Sequence, residues 1–199
     1  MPVSSPYQVV RDFERAVCEY TGAPYCVTVN SCTMAILLAL KWHGPSVVEI
    51  PRRTYVSVPM SIMHAGARVR FRDESWQGAY RLEPFPIYDS ARRFTCGMYI
   101  PGAMQCVSFH ASKILGDTQG GAILHHDATA DAWFRRMRFD GRTEGVAPKD
   151  DHFQELGYHC YMSADVAARL LLKLHSLPKH NADLPNDDYP DLSAMEIFR

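Results

Sequence analysis

SFHASKILGDTQGGAIL, residues Ser108 to Leu124, sets a single lysine, Lys113, between a short apolar strand and a glycine-rich turn. Phe109, Ile114 and Leu115 flank it, and the nearest acidic residue in the chain is Asp117. A lysine amine becomes a nucleophile, or a partner for a carbonyl carbon, when its surroundings lower its pKa and a neighbouring site fixes what it meets. Taken alone, the stretch is equally an ordinary loop lysine beside a turn. The rest of the chain has to supply the site.

Working outward, Met104 to Phe109 is a strand leading straight to Lys113, and Gly120 to His125 is another. Upstream, FPIYD is a strand ending on Asp89, and the carboxyl ends of strands are where open α/β sheets bind ligands. By itself Asp89 also reads as a turn residue leading into SARRF. Between Arg72 and Phe85, DESWQGAYRLEP is too polar and too short for a further full helix and strand.

Nearer the start, Ser5 and Pro6 open an amphipathic helix in which Val9, Val10, Phe13, Ala16, Val17 and Tyr20 recur at helical spacing up to Gly22. Tyr25 to Val29 then reads as a strand, Asn30-Ser31 as a turn, and Cys32 to His43 as an apolar helix stopped by Gly44-Pro45. Helix-start amides have no partner within the helix and the dipole favours an anion, so Asn30, Ser31, Cys32 and Thr33 are suited to a phosphate. A plain helix capped by Ser31 or Thr33 is the simpler reading of that turn alone. Val47 to Ile50, Val56 to Ala65 and Ala67 to Arg72 add strand, helix and strand, a βαβ rhythm.

Beyond the lysine, Asp127 to Asp140 is helical, with Arg135, Arg136 and Arg138 read as a solvated face, and Gly141 to Cys160 is a long loop. Ser163 caps a last helix, Ala164 to Leu177, after which the chain becomes acidic and proline-containing. The expected organisation is one α/β domain over residues 1–177 and a poorly packed tail over 178–199.

Composition narrows the class. With 199 residues and 47% hydrophobic content the chain supports one well-buried domain, and no apolar run is long enough to span a bilayer. MPVSSPYQVVRDF lacks the basic start and apolar core of a signal peptide, so a cytoplasmic location is expected. Cys18, Cys26, Cys32, Cys96, Cys106 and Cys160 form no CxxC pair and read as reduced, packed thiols. His125 and His126 point to opposite faces of a strand, which argues against a shared metal. Between Arg52 and Arg142 stand thirteen Lys and Arg against eight Asp and Glu, leaving eight against fourteen elsewhere, and twelve of the thirteen are arginines. Arginine suits phosphate or carboxylate recognition, although solvated arginines on helix faces are the blander explanation.

Three strand ends thus deliver a phosphate-ready helix start, an aspartate, and a serine followed by a lysine to one side of a mostly parallel sheet. That combination describes a pyridoxal phosphate site, which needs an amine, a carboxylate for the pyridine nitrogen, and donors for the phosphate.

FERAVCEYTGAPYCVTVNSCTMAILLAL, PRRTYVSVPMSIMHAGARVRF, YDSARRF, SFHASKILGDTQGGAIL and LGYHCYMSADVAARLLLKL, in that order, resemble the successive blocks of the DegT/StrS-type sugar aminotransferases, fold-type I pyridoxal phosphate enzymes. The resemblance implies a three-layer α/β/α large domain with the small C-terminal domain largely absent. It implies that Lys113 forms the internal aldimine and shuttles a proton, and that Asp89 pairs with the pyridine nitrogen. Ser31, Cys32, Thr33 and Ser108 would hold the phosphate and Tyr55 would stack on the ring. Arg92 stands where the family commonly has Gln or His near the cofactor's phenolic oxygen, while Arg93 is read as facing solvent. His159 replaces an asparagine that reaches the neighbouring subunit's phosphate, which implies a homodimer with a shared active site. His110, three residues before the lysine, either touches the cofactor or is simply a polar residue at a strand end, the latter being the favoured reading.

The function this implies is an aminotransferase of the nucleotide-sugar type acting on a small amino or keto substrate. One alternative is a decarboxylase or lyase acting on an amino-acid group, with nucleic acid entering only as a modified substrate. Another is a non-catalytic interaction protein that keeps the fold, against which the retention of both Lys113 and Asp89 argues. A membrane partner is not expected.

Overall fold

In the computed structural model, which describes residues 7–153, 155–185 and 189–198, the helices are α1 (Gln8–Thr21), α2 (Cys32–His43), α3 (Ser57–His64), α4 (Ala128–Met137) and α5 (Ala164–Ser176). The strands are β1 (Tyr25–Val29), β2 (Val47–Pro51), β3 (Arg68–Arg72), β4 (Tyr80–Leu82), β5 (Ile87–Asp89), β6 (Met104–Ser108) and β7 (Gly121–His125). The helix start expected at Ser5 and Pro6 lies outside the described residues. No described helix is long and apolar enough to cross a membrane.

Side-chain alternation along the strands makes three layers. Val27, Cys106 and Ile123 turn toward α2 and α4, while Cys26, Val107, Ala122 and Leu124 turn toward α1 and α5. The helix α2 is apolar on every side: Ala35 to Leu40 are all buried, as suits a helix enclosed by sheet and neighbouring helices. Across the sheet, α1 buries Val10, Phe13 and Val17 in the same cluster as Val166, Ala167, Leu170 and Leu174 of α5.

The sheet is mixed, where a mostly parallel one was expected. Its order is β1-β7-β6-β5-β4, and a bridge between Glu49 and Glu83 joins it to the β2-β3 pair. β5/β6 and β2/β3 are parallel, whereas β1/β7, β6/β7 and β4/β5 are antiparallel. A parallel neighbour needs a long crossover, usually helical. Only residues 83–86 connect β4 to β5, and the β6–β7 loop folds back so that Phe109 N–H donates to Gly120 O at 2.8 Å. β4 itself falls in the stretch judged too short for a helix and strand; the strand forms because Tyr80 and Leu82 bury their side chains.

Two expectations about charge fail for one reason, pairing between distant residues. Arg138 is 3% exposed, and both it and Arg135 pair with the buried Glu14 of α1. Burial works against charge on Glu14, but the two arginines and the Thr28 N–H outweigh it and hold the carboxyl below its usual range. The tail likewise lies back across the domain. Cys96 N–H donates to Lys179 O, Leu184 N–H to Arg92 O and Leu192 N–H to Arg52 O, each at 2.9 Å, and Leu192 and Phe198 are buried. Its acidic side chains meet the basic middle: Asp183 chelates Arg93 at 2.6 and 2.9 Å, and Asp191 pairs with Arg52. The described part of 178–199 is therefore packed on the domain, and Arg93 is paired.

Candidate active site

The first turn of α2 sits against the Gly120-Gly121 end of the lysine loop. A Cβ on Gly121 would lie 2.4 Å from Cys32 N, so only glycine admits the helix this closely. Ser31 caps the helix by accepting from Met34 N–H at 3.2 Å, which leaves the Cys32 and Thr33 amides in the first turn, where a helix offers its unpaired donors to an anion. Thr33 Oγ1 is 2.8 Å from Ser57 Oγ, tying this turn to the start of α3.

Asp89 closes β5 and is 4% exposed. Its Oδ1 accepts from Ala91 N–H at 2.9 Å and its Oδ2 from Tyr80 OH at 3.0 Å, and the Tyr80 hydroxyl is in turn 2.6 Å from Thr54 Oγ1. Burial pushes the Asp89 carboxyl above its ordinary value, against the opposing pull of the Ala91 N–H, Tyr80, Lys113 and Arg92. Burial likewise raises the Tyr80 phenol well above its usual range, so it stands as a neutral donor.

Lys113 rides on a loop pinned from below. Asp117 N–H donates to Phe109 O at 2.9 Å, and the Asp117 carboxylate takes Arg169 at 2.8 Å and Lys173 at 2.9 Å, both from α5. The Arg169 guanidinium, against an opposing desolvation and helped by Lys173, holds that carboxyl well below the usual carboxylate range. Burial raises the Cys32 thiol well above its usual range, as it raises Asp89, and in both cases the Lys113 charge opposes the rise.

These pieces converge on one cavity of about 430 Å³. Of the residues singled out from sequence, Ser31, Cys32, Thr33, Tyr55, Asp89, Arg92, Ser108 and Lys113 all line it. His159 does not: its side chain is exposed, with Nδ1 2.9 Å from Asp140 Oδ2. His110, open to both readings from the sequence, also lines the cavity, with Nδ1 3.0 Å from Ser112 Oγ. Ser57, Gln119 and Tyr189 are lining residues that sequence reasoning passed over. Gln119 had a signal, its place in the glycine turn after Lys113; Tyr189, in the tail, had none. A larger cleft of about 620 Å³ lies between α1 and α4, but its charges are paired, Arg11 with Glu144, Arg135 with Glu14, Arg15 with Asp12 and Arg136 with Glu155, and no described lysine lines it.

Residues 3–79 and 97–184 match the model of the DegT/DnrJ/EryC1/StrS aminotransferase family; β4, β5, Asp89 and Arg92 fall in the gap. Among curated proteins, the spore coat polysaccharide biosynthesis protein SpsC of Bacillus subtilis is 40% identical over 68 residues, which are 32% of this chain and 17% of that protein. A DegT DnrJ EryC1 StrS aminotransferase from Brucella abortus superposes with TM-score 0.73 at 20% identity, over 85% of this chain and 59% of that one. PseC of Helicobacter pylori, an aminotransferase involved in the biosynthesis of pseudoaminic acid, gives TM-score 0.72 at 16% identity over 86% and 58%. AtS13 from Actinomadura melliaura gives 0.74 at 20% identity over 85% and 60%. The chain thus carries the fold of these aminotransferases over three-fifths or less of their length. Matched over both flanks of its pocket, the chain belongs to the DegT/DnrJ/EryC1/StrS aminotransferase family.

Proposed function

We propose that this chain is a pyridoxal-phosphate-dependent aminotransferase of the nucleotide-sugar type, with Lys113 as the residue that attaches the cofactor. The observation that carries the reading is that an amine, a buried carboxylate and a helix N-terminus line one cavity. The donor set suits the group. The 430 Å³ volume is within the range of about 300–1,000 Å³ common to small-ligand sites. Each Asp89 oxygen accepts one hydrogen bond from the protein and a carboxylate oxygen has capacity for two, so a ring N–H can be taken as well.

When bound, the cofactor's protonated ring draws electrons from the bonds at the substrate's amine-bearing carbon. Asp89 keeps the ring nitrogen protonated, and a positive ring beside it favours the ionised carboxylate. The Cys32 and Thr33 amides and Ser108 Oγ take the phosphate. Lys113 Nζ, released when the substrate amine takes its place, would move a proton between the substrate's amine-bearing carbon and the cofactor. Arg92 would supply a permanent cation to the bound group, and Tyr55 would pack on its ring and exclude water. We read His159, exposed and outside its own cavity, as reaching the phosphate site of a second copy in a homodimer.

The test is the visible absorbance of the purified protein with pyridoxal phosphate, with and without borohydride. Wild type is expected to show a band that borohydride fixes as a mass increase on the Lys113 peptide, and Lys113→Ala to show neither; identical behaviour of the two proteins defeats the reading. Amino donors should convert the cofactor to its amine form. Carbon dioxide release instead would move the assignment to a decarboxylase. Asp89→Asn is expected to retain cofactor and lose about a hundredfold in turnover, the scale of losing a positioned electrostatic partner.

A further inference from the structure

The residue nearest the C-terminus among those lining the cavity is Tyr189, and its contacts go beyond filling space. Its hydroxyl accepts from Arg92 Nε at 2.9 Å, and the Arg92 guanidinium carbon lies 4.6 Å from its ring centroid. The same ring stacks on Trp76 at 6.1 Å with planes 16° apart and meets Tyr55 edge-on at 6.4 Å. Arg92 is held by the tail at two further points: Nη1 donates to Pro185 O, and its own carbonyl accepts from Leu184 N–H at 2.9 Å.

The tail in turn is seated by groups that fit it. Asp183 chelates Arg93, the neighbour of Arg92, and occupies the space left by Gly78, where a Cβ would lie 2.1 Å from Asp183 Oδ2. Asp191 bridges to Arg53 and pairs with Arg52, and Leu192 beside it is fully buried. Trp76 Nε1 donates to Arg53 O at 2.8 Å, fixing the indole on which Tyr189 stacks. The short 73–79 stretch and the C-terminal segment are thus complementary.

We propose that Tyr189 is a positioning residue: it holds the Arg92 guanidinium at the cavity, so that the C-terminal segment supplies an arm of the site. A guanidinium on a long stem loses rotamer freedom when it is fixed, and several directed contacts are needed to hold it. The hydrogen bond, the ring face and the Pro185 carbonyl provide them. The consequence is a fixed cation beside Asp89, where Arg92 joins the Ala91 and Tyr80 donors and Lys113 in opposing the rise that burial gives the carboxyl. The inference rests on reading the Lys113 cavity as the cofactor site, but the contact can be tested apart from it.

The experiment compares wild type, Tyr189→Phe, Asp183→Asn and Arg92→Lys in two ways. The Arg92 Nε–H resonance of nitrogen-15-labelled protein, assigned by its absence in Arg92→Lys, is expected to be protected from exchange in wild type. It should lose about tenfold or more of that protection in Tyr189→Phe, which keeps the ring and removes the acceptor, as a lost bond to a charged donor implies. The dissociation constant for pyridoxal phosphate is expected to rise about three- to tenfold in Tyr189→Phe, by the same loss, and less in Asp183→Asn. The unfolding midpoint of Tyr189→Phe should stay within a few degrees of wild type, so a global effect would be recognised. An Nε–H resonance unchanged in Tyr189→Phe overturns the proposal, whatever the cofactor does. If wild type takes no cofactor at Lys113, the functional reading fails, and the resonance alone still decides the role of Tyr189.

Discussion

The loop carrying Lys113 and the segment carrying Tyr189 line the same cavity, and each is tied down by a carboxylate, yet the two ties differ in kind. Asp117 is buried, and its oxygens are taken by Arg169 and Lys173 of α5, so the loop between β6 and β7 is clamped to a core helix. Asp183 instead pairs with Arg93, in the turn after β5, and its segment reaches the core through Leu192 and Phe198. The floor of the site is thus built into the sheet, while its outer arm is a layer added by charge and ring contacts. Since Arg169 and Lys173 are as open to solvent as Arg93, each pair by itself contributes about 0–1 kcal/mol, and the two ties differ in what they fasten: a loop to a helix of the core in one case, a terminal segment to a turn in the other.

The largest effect should come from the floor. Gly121→Ala sets a Cβ 2.4 Å from the Cys32 amide and 2.5 Å from the Ser31 carbonyl carbon, both backbone atoms that cannot swing away. Urea unfolding is expected to show a loss of about 3 kcal/mol, at the upper end for overpacking, with cofactor binding lost as the α2 start moves. An unchanged midpoint would mean that the helix start is not rigidly held.

A second measurement asks how firmly the loop is clamped. Because the folded Asp117 carboxyl titrates well below its unfolded value, its stabilisation is complete above the ordinary carboxylate range of about 3.9 and fades as acid passes down through the folded value. Wild type should therefore lose stability from about pH 5 downward, and Asp117→Asn should start lower at neutral pH and fall less steeply. Parallel curves for the two proteins would put the clamp elsewhere.

The smallest effect is expected at the arm. Asp183→Asn should cost about 1 kcal/mol or less, a difference that shrinks further in salt. Hydrogen exchange is the sensitive probe, since the Leu192 N–H, bonded to Arg52 O at 2.9 Å, should open faster while amides of β6 do not. Equal acceleration in both would erase the distinction between floor and arm.

The floor was legible because its signals are local. Strand, polar turn and apolar helix over Tyr25 to His43, the lysine before its glycine turn, and the aspartate ending FPIYD are all patterns of neighbouring residues. The extents of β1 and α2 follow from them residue for residue. The arm was not legible, because an acidic, proline-containing segment has the composition of a loose tail until the arginines it meets are known. The same holds for Arg135 and Arg138: on a helical wheel they oppose the apolar stripe, and only the packing of α1 shows that Glu14 waits for them.

By itself the chain determined the alternation of elements, the apolar helix at the centre, and the three residue types that suit a cofactor, because periodicity, capping and turn chemistry act over a few residues. The tertiary structure alone decided the strand directions, the closeness of Gly121 to α2, the pairing of Gly78 with Asp183, and the presence of Tyr189 beside Arg92. Those depend on which distant segments come into contact, and such contacts leave no period or spacing in the sequence from which to read them.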